Sequence, residues 1–213
     1  MRTLFSVITI LLFSYLVPAQ SQLAKRAFDE ATQSAATGNF DQALRQYRSA
    51  VVAADESSPD FDIKLRYNLG VCYYRTGKLK EAAKEFTTAI EFARGRHRRA
   101  YYALGMTEAA LENWQSAKKA FLSAVALEPK DGEAWFDLAF VYLAEHDYDS
   151  AAAAFRRSIE NRTVDSALAH NNLGVIMAMK FDLAAAEESF NTAIALSNGR
   201  LIAAKQISIF AGS

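Results

Sequence analysis

The chain of 213 residues has one cysteine, three prolines and no net charge, and each scarcity removes a class of protein. Cys72 stands alone, so an intramolecular disulfide framework is excluded and the fold must be held by packing. Its neighbours Val71, Tyr73 and Tyr74 are bulky and uncharged, which suits a buried small hydrophobe better than a reactive thiol. Lys and Arg number 24 and so do Asp and Glu, a balance that gives no support for a nucleic-acid binder or a binder of anionic membranes. The run "RGRHRR", Arg94 to Arg99, is the local exception and reads as a solvated loop. Three prolines and nine glycines leave few breakers in the interior, and a hydrophobic content of 51% is too high for disorder. The fold class these numbers predict is all-α.

Signatures of chemistry are also missing. The histidines, His97, His146 and His170, are dispersed, and no two have the short spacing that places imidazoles on one metal. There is no nucleophile elbow and no phosphate-binding loop. The chain reads as non-enzymatic, with no cofactor and no metal.

Long apolar runs are confined to the start. Arg2 is followed by "TLFSVITILLFSYLVPA" and then Gln20. A basic start, a short apolar core and small residues before the cut predict a signal peptide over residues 1–19. Its apolar core falls short of the roughly 20 residues a bilayer span needs; a retained anchor is the alternative. The mature chain, 20–213, is then expected to be exported, periplasmic or secreted, without an integral membrane span.

What the rest of the chain contains is a period. The stretch "GKLKEAAKEFTTAIEFA" sets Ala82, Phe86 and Ala89 on one helix face, behind a glycine suited to a left-handed helix end. The same triad returns as Ala43/Tyr47/Ala50, Ala117/Phe121/Ala124, Ala151/Phe155/Ser158 and Ala186/Phe190/Ala193. The leading alanines are 39, 35, 34 and 35 residues apart. Upstream of the last four triads lie "RYNLGVCY", "YYALGMTE", "WFDLAFVY" and "HNNLGVIM". Each unit therefore reads as helix, tight turn, helix. Small residues at Gly70, Gly105, Ala139 and Gly174 are expected to let the two helices of a unit approach, with Phe86, Phe121, Phe155 and Phe190 filling space between units.

This pattern resembles the tetratricopeptide repeat family, whose signature is W-x2-L-G-x2-Y, then A-x3-F, then often P. Leu69, Gly70, Tyr73, Ala82 and Phe86 match in the second unit, and Leu104, Gly105, Ala117, Phe121 and Pro129 in the third. Trp135, Leu138, Tyr142, Ala151 and Phe155 match in the fourth, where Ala139 replaces the glycine; Leu173, Gly174, Ala186 and Phe190 match in the fifth. The first is worn, with Glu30 and Ala31 where Leu-Gly is expected. The resemblance implies an α-solenoid, a right-handed superhelix of repeats at about 24–57, 63–96, 98–131, 132–165 and 167–200, followed by a capping helix at 201–211. Ser58-Pro59 should start a helix after the polar stretch that lengthens the first interval. The apolar residues of "RLIAAKQISIFAGS" either dock on the fifth unit or form a self-association surface.

The resemblance further implies that the first helices line a concave groove for a peptide or helix of a protein partner. Carried over by spacing, one row of that face is Phe28, Tyr67, Tyr102, Phe136 and Asn171, and the row three residues earlier is Lys25, Lys64, Arg99, Glu133 and Leu168. Phe140 and Tyr74 belong to further rows. The aromatics have two open roles, contact with a partner or packing between helices. Asn68 and Asn172 match the asparagine of relatives that clamp a chaperone's C-terminal carboxylate, but Ala103 and Asp137 break the set, so that clamp is not expected. Asn161-Arg162-Thr163 fits the N-glycosylation pattern and reads as a chance match. The function expected is a non-catalytic adaptor that binds an envelope or secreted protein; the alternative is a scaffold that self-assembles, as a homo-oligomer, through its C-terminal segment.

Overall fold

The computed structural model describes residues 21–54, 58–163 and 166–198. Among them there are ten helices and no strand. They are α1 (21–36), α2 (Phe40–Ala53), α3 (Pro59–Arg75), α4 (Leu79–Phe92), α5 (Arg98–Ala110), α6 (Trp114–Leu127), α7 (Gly132–Ala144), α8 (Tyr148–Glu160), α9 (Ser166–Met179) and α10 (Leu183–Leu196). The residues before 21, with the expected signal peptide, and those after 198, with the expected capping helix, lie outside the described part. Among the described residues no helix is long and apolar enough to cross a membrane.

Short polar side chains start half of these helices. Asn39, Ser58, Asp131, Asp147 and Asp182 each accept a hydrogen bond from a backbone N–H three residues on, and Pro59 sits behind Ser58 as expected. A left-handed residue ends the first helix of each pair. It is a glycine at Gly38 and Gly77, with φ of 79° and 73°, but Glu112, His146 and Phe181 hold the same place at φ 59°, 59° and 62°.

The chain divides into two compact units, Met1–Leu111 and Glu112–Ser213. In the first, Ala43, Leu44, Tyr47, Leu65, Leu69 and Cys72 form one core, and Ala89, Ile90 and Ala100 a second. In the second unit, Phe136, Phe155, Leu173, Ile176, Met177 and Phe190 are buried together. The phenylalanines correct one expectation. The Phe86 ring lies directly against Gly70 and the Phe190 ring against Gly174, so each fills the interior of its own hairpin rather than only the space between units. A hairpin closed on glycine leaves a pocket of ring size that this side chain occupies.

Candidate protein-binding faces

The residues singled out on the first helices separate by their environment. In the first unit Lys25, Lys64 and Arg99 are exposed, one on each of α1, α3 and α5. Beside them Phe28, Tyr67 and Tyr102 are half-buried. Phe28 is an edge partner of Tyr47 at 5.6 Å and lies 5.4 Å from Phe61. Tyr67 rests 5.8 Å from Phe86 and stacks on His97 at 5.2 Å and 26°. Phe28 and Tyr67 are thus held by packing while remaining partly open to solvent. Tyr74, about two turns further along α3 than Tyr67, is also half-buried.

Asn68 has a structural partner. The Tyr47 phenol is raised by burial and held back by hydrogen bonds with Thr32 and with Asn68; the Thr32 hydroxyl is 3.0 Å away. The amide therefore lies beside a buried hydroxyl of the preceding hairpin.

In the second unit the corresponding residues are less open, except Leu168, which is 40% exposed. Phe136 is 7% exposed and belongs to the core, in contact with Phe155 at 5.7 Å. Phe140 is the ring that reaches solvent, at 42% exposure, packed edge-on against Phe136 at 5.1 Å. Asn171 and Asn172 are half-buried on α9. Glu133, from the charged row, accepts a 2.9 Å hydrogen bond from Thr163. That contact bears on the glycosylation tripeptide: Thr163 is 4% exposed, and the Asn161 amide nitrogen donates to the Arg157 carbonyl at 2.7 Å. In the folded chain both ends of the tripeptide are engaged.

Two features were not read from the sequence. The arginine-rich run is a loop over 94–97, as expected, but it also starts a helix: the His97 Nδ1 accepts from the Ala100 N–H at 3.1 Å and caps α5. Burial, with Arg99 and Arg98 nearby, lowers its pKa. Second, Arg66 reaches across to Glu85 on α4 at 3.0 Å. Helical spacing from Phe86 could have placed Glu85 near the core, but nothing local names its partner.

These features lie on a fold of known kind. The tetratricopeptide repeat profile matches residues 28–97, 102–162 and 141–200. The chain belongs to the tetratricopeptide repeat family. The repeats of this family are typically non-catalytic interaction modules. Among solved structures, MamA is 22% identical with a TM-score of 0.72, over 79% of this chain and 94% of that one. MamA 41-end from Desulfovibrio magneticus RS-1 is 20% identical with a TM-score of 0.73, over 84% and 97%. YrrB, described as a TPR protein with an unusual peptide-binding site, is 24% identical with a TM-score of 0.72, over 85% and 89%. At these identities the likeness establishes the fold. No curated protein sequence matches the chain significantly. Among the described residues no group of three His, Cys, Asp or Glu side chains could hold a metal ion.

Proposed function

We propose that this repeat protein is a non-catalytic adaptor that binds a peptide or helix of an exported partner along the first helices of its repeats. The observation that carries the reading is the pairing, on α1, α3 and α5, of exposed Lys25, Lys64 and Arg99 with half-buried Phe28, Tyr67 and Tyr102. Rings already fixed by packing lose little entropy on contact, and the cations beside them steer and hold carboxylates. A partner segment of mixed apolar and acidic residues suits that face. The likeness to a repeat protein with a peptide-binding site supports it at the level of fold. The export half of the proposal rests on residues 1–19, and N-terminal sequencing of the protein from its own cells should begin at Gln20.

The test is capture from an extract of exported proteins, with the wild-type chain and a Lys25→Glu/Lys64→Glu/Arg99→Glu chain as parallel baits. A partner held by the first and lost by the second, with helicity equal in both, supports the adaptor. Equal recovery by both baits overturns it.

A second reading, self-assembly, is favoured by one observation: Met179, Phe181, Leu183 and Leu196 at the end of the second unit are all exposed. Truncation after Gly199 removes the apolar C-terminal segment. An unchanged oligomeric mass eliminates that segment as the assembling element.

A further inference from the structure

One position of the repeat changes character along the chain. It is the first residue of the four "xxxLG"-type segments: Arg66, Tyr101, Trp135 and His170. In the two middle repeats a large ring occupies it. Tyr101 packs against the core of Ala89, Ile90 and Ala100, and the Trp135 Nε1 donates to the Pro129 carbonyl at 2.9 Å. Where the large ring is absent, clefts open. One, of about 530 Å³, lies at Arg66 between α2, α3 and α4. Another, of about 230 Å³, lies at His170 between α8, α9 and α10. They are the same place in two repeats, since Arg66, Leu69 and Tyr73 correspond to His170, Leu173 and Met177, and Arg48 corresponds to Arg156.

The larger cleft is strongly charged. Three guanidinium groups, Arg45, Arg48 and Arg66, line it against a single carboxylate, Glu85. Arg66 spends its Nη1 on Glu85 at 3.0 Å, while its Nε is buried with no hydrogen-bond partner. A buried guanidinium N–H left unmet is unfavourable, and the Nε edge of an arginine is shaped for a carboxylate. Tyr73 lines the same cleft beside Arg48 and Glu85. Val51 and Val52 add an apolar wall, and Val52 is exposed.

We propose that the cleft between α2, α3 and α4 is a second peptide-binding site, which takes a carboxylate side chain of a partner onto Arg66 and Arg48 and an adjoining apolar residue onto Val52. It rests on the reading of the chain as an interaction module but not on the aromatic row of the first helices. Glu85 already shows that the Arg66 guanidinium accommodates a carboxylate, and two of the three cations remain uncompensated by it, so a further planar anion is attracted there.

The probe is a dye-labelled peptide of alternating Glu and Leu, titrated by fluorescence anisotropy with the full chain, beside its Gln–Leu and phosphoserine–Leu counterparts. The Glu–Leu peptide should bind, weaken as salt is raised, and exceed the Gln–Leu peptide by about tenfold. Arg48→Glu, at an exposed site that leaves folding intact, should lower affinity by about tenfold or more. Arg66→Trp with Glu85→Gln copies the filled arrangement at Trp135 without stranding a buried carboxylate, and should abolish binding. The Lys25→Glu/Lys64→Glu/Arg99→Glu chain should bind as wild type, which separates this site from the first-helix face. Equal affinity for the Gln–Leu peptide, a preference for phosphoserine, no loss in Arg48→Glu, or loss in the Lys25/Lys64/Arg99 variant would each overturn the proposal.

Discussion

A Cβ on Gly70 would lie 2.7 Å from the Phe86 ring, and one on Gly174 would lie 2.7 Å from the Phe190 ring. The two hairpins α3–α4 and α9–α10 close by the same device, a glycine on the first helix that admits a ring from the second. The ring is enclosed on its other sides, so it cannot retreat far.

Gly70→Ala is therefore expected to destabilise the first unit by about 1–3 kcal/mol through overpacking, although alanine is otherwise the better helix former. Urea denaturation measures it. Phe86→Leu in the same chain should recover part of the loss, because it removes the ring that a Cβ would strike; a double variant no better than additive would sink this account.

The turn residue Phe181 is 89% exposed at φ 62°. A left-handed conformation costs a side chain about 1–2 kcal/mol that glycine does not incur. Phe181→Gly should raise stability by about 1 kcal/mol, as Gly38 and Gly77 already occupy this place in other repeats. A fall in thermal midpoint would show that the ring makes a contact worth more than the strain.

The α5 cap should be sensitive to acid. His97 Nδ1 accepts a backbone N–H, which requires the neutral imidazole, and burial has lowered its pKa. A depressed histidine contributes stability that is fully present above its unfolded value of about 6.5 and is lost as pH falls toward the folded value. His170, also lowered by burial, acts in the same direction. Thermal midpoints measured from pH 7 down to pH 5 should fall. His97→Asn, which keeps an acceptor but does not titrate, should fall less; parallel curves would rule out His97 as a source of the slope.

Cys72 is 2% exposed and burial pushes its thiol up to about 11. Thiolate is the reactive form, so an alkylating reagent at pH 8 should modify the native chain orders of magnitude more slowly than the urea-unfolded chain. Comparable rates would mean that α3 opens locally without global unfolding.

Much of this architecture was legible in the chain itself. Ala82, Phe86 and Ala89 share a face because a helix has 3.6 residues per turn, and the return of that triad at intervals of 34 to 39 residues required hairpins of one kind. Gly77 marked its turn and Ser58-Pro59 its helix start, since both act through neighbouring backbone groups. Those are local effects, and a sequence states local effects directly.

The candidate site was legible only in part. Spacing places Phe136 and Phe140 on the same helix one turn apart, yet the fold buries the first and leaves the second at 42% exposure. Phe155 touches both rings, at 5.7 and 5.5 Å, so the difference lies in the remaining buried side chains of α8 and α9 that join Phe136 in the core. Asn68 found Tyr47 and Arg66 found Glu85 for the same reason: each partner comes from another helix. The sequence by itself determined the helices, their turns and their repetition, because those follow from hydrogen bonds and side chains within a few residues. Only the tertiary structure decided which rings are core, where a missing ring opens a cleft, and which cations meet there, because burial and charge pairing depend on residues that only the packed helices bring together.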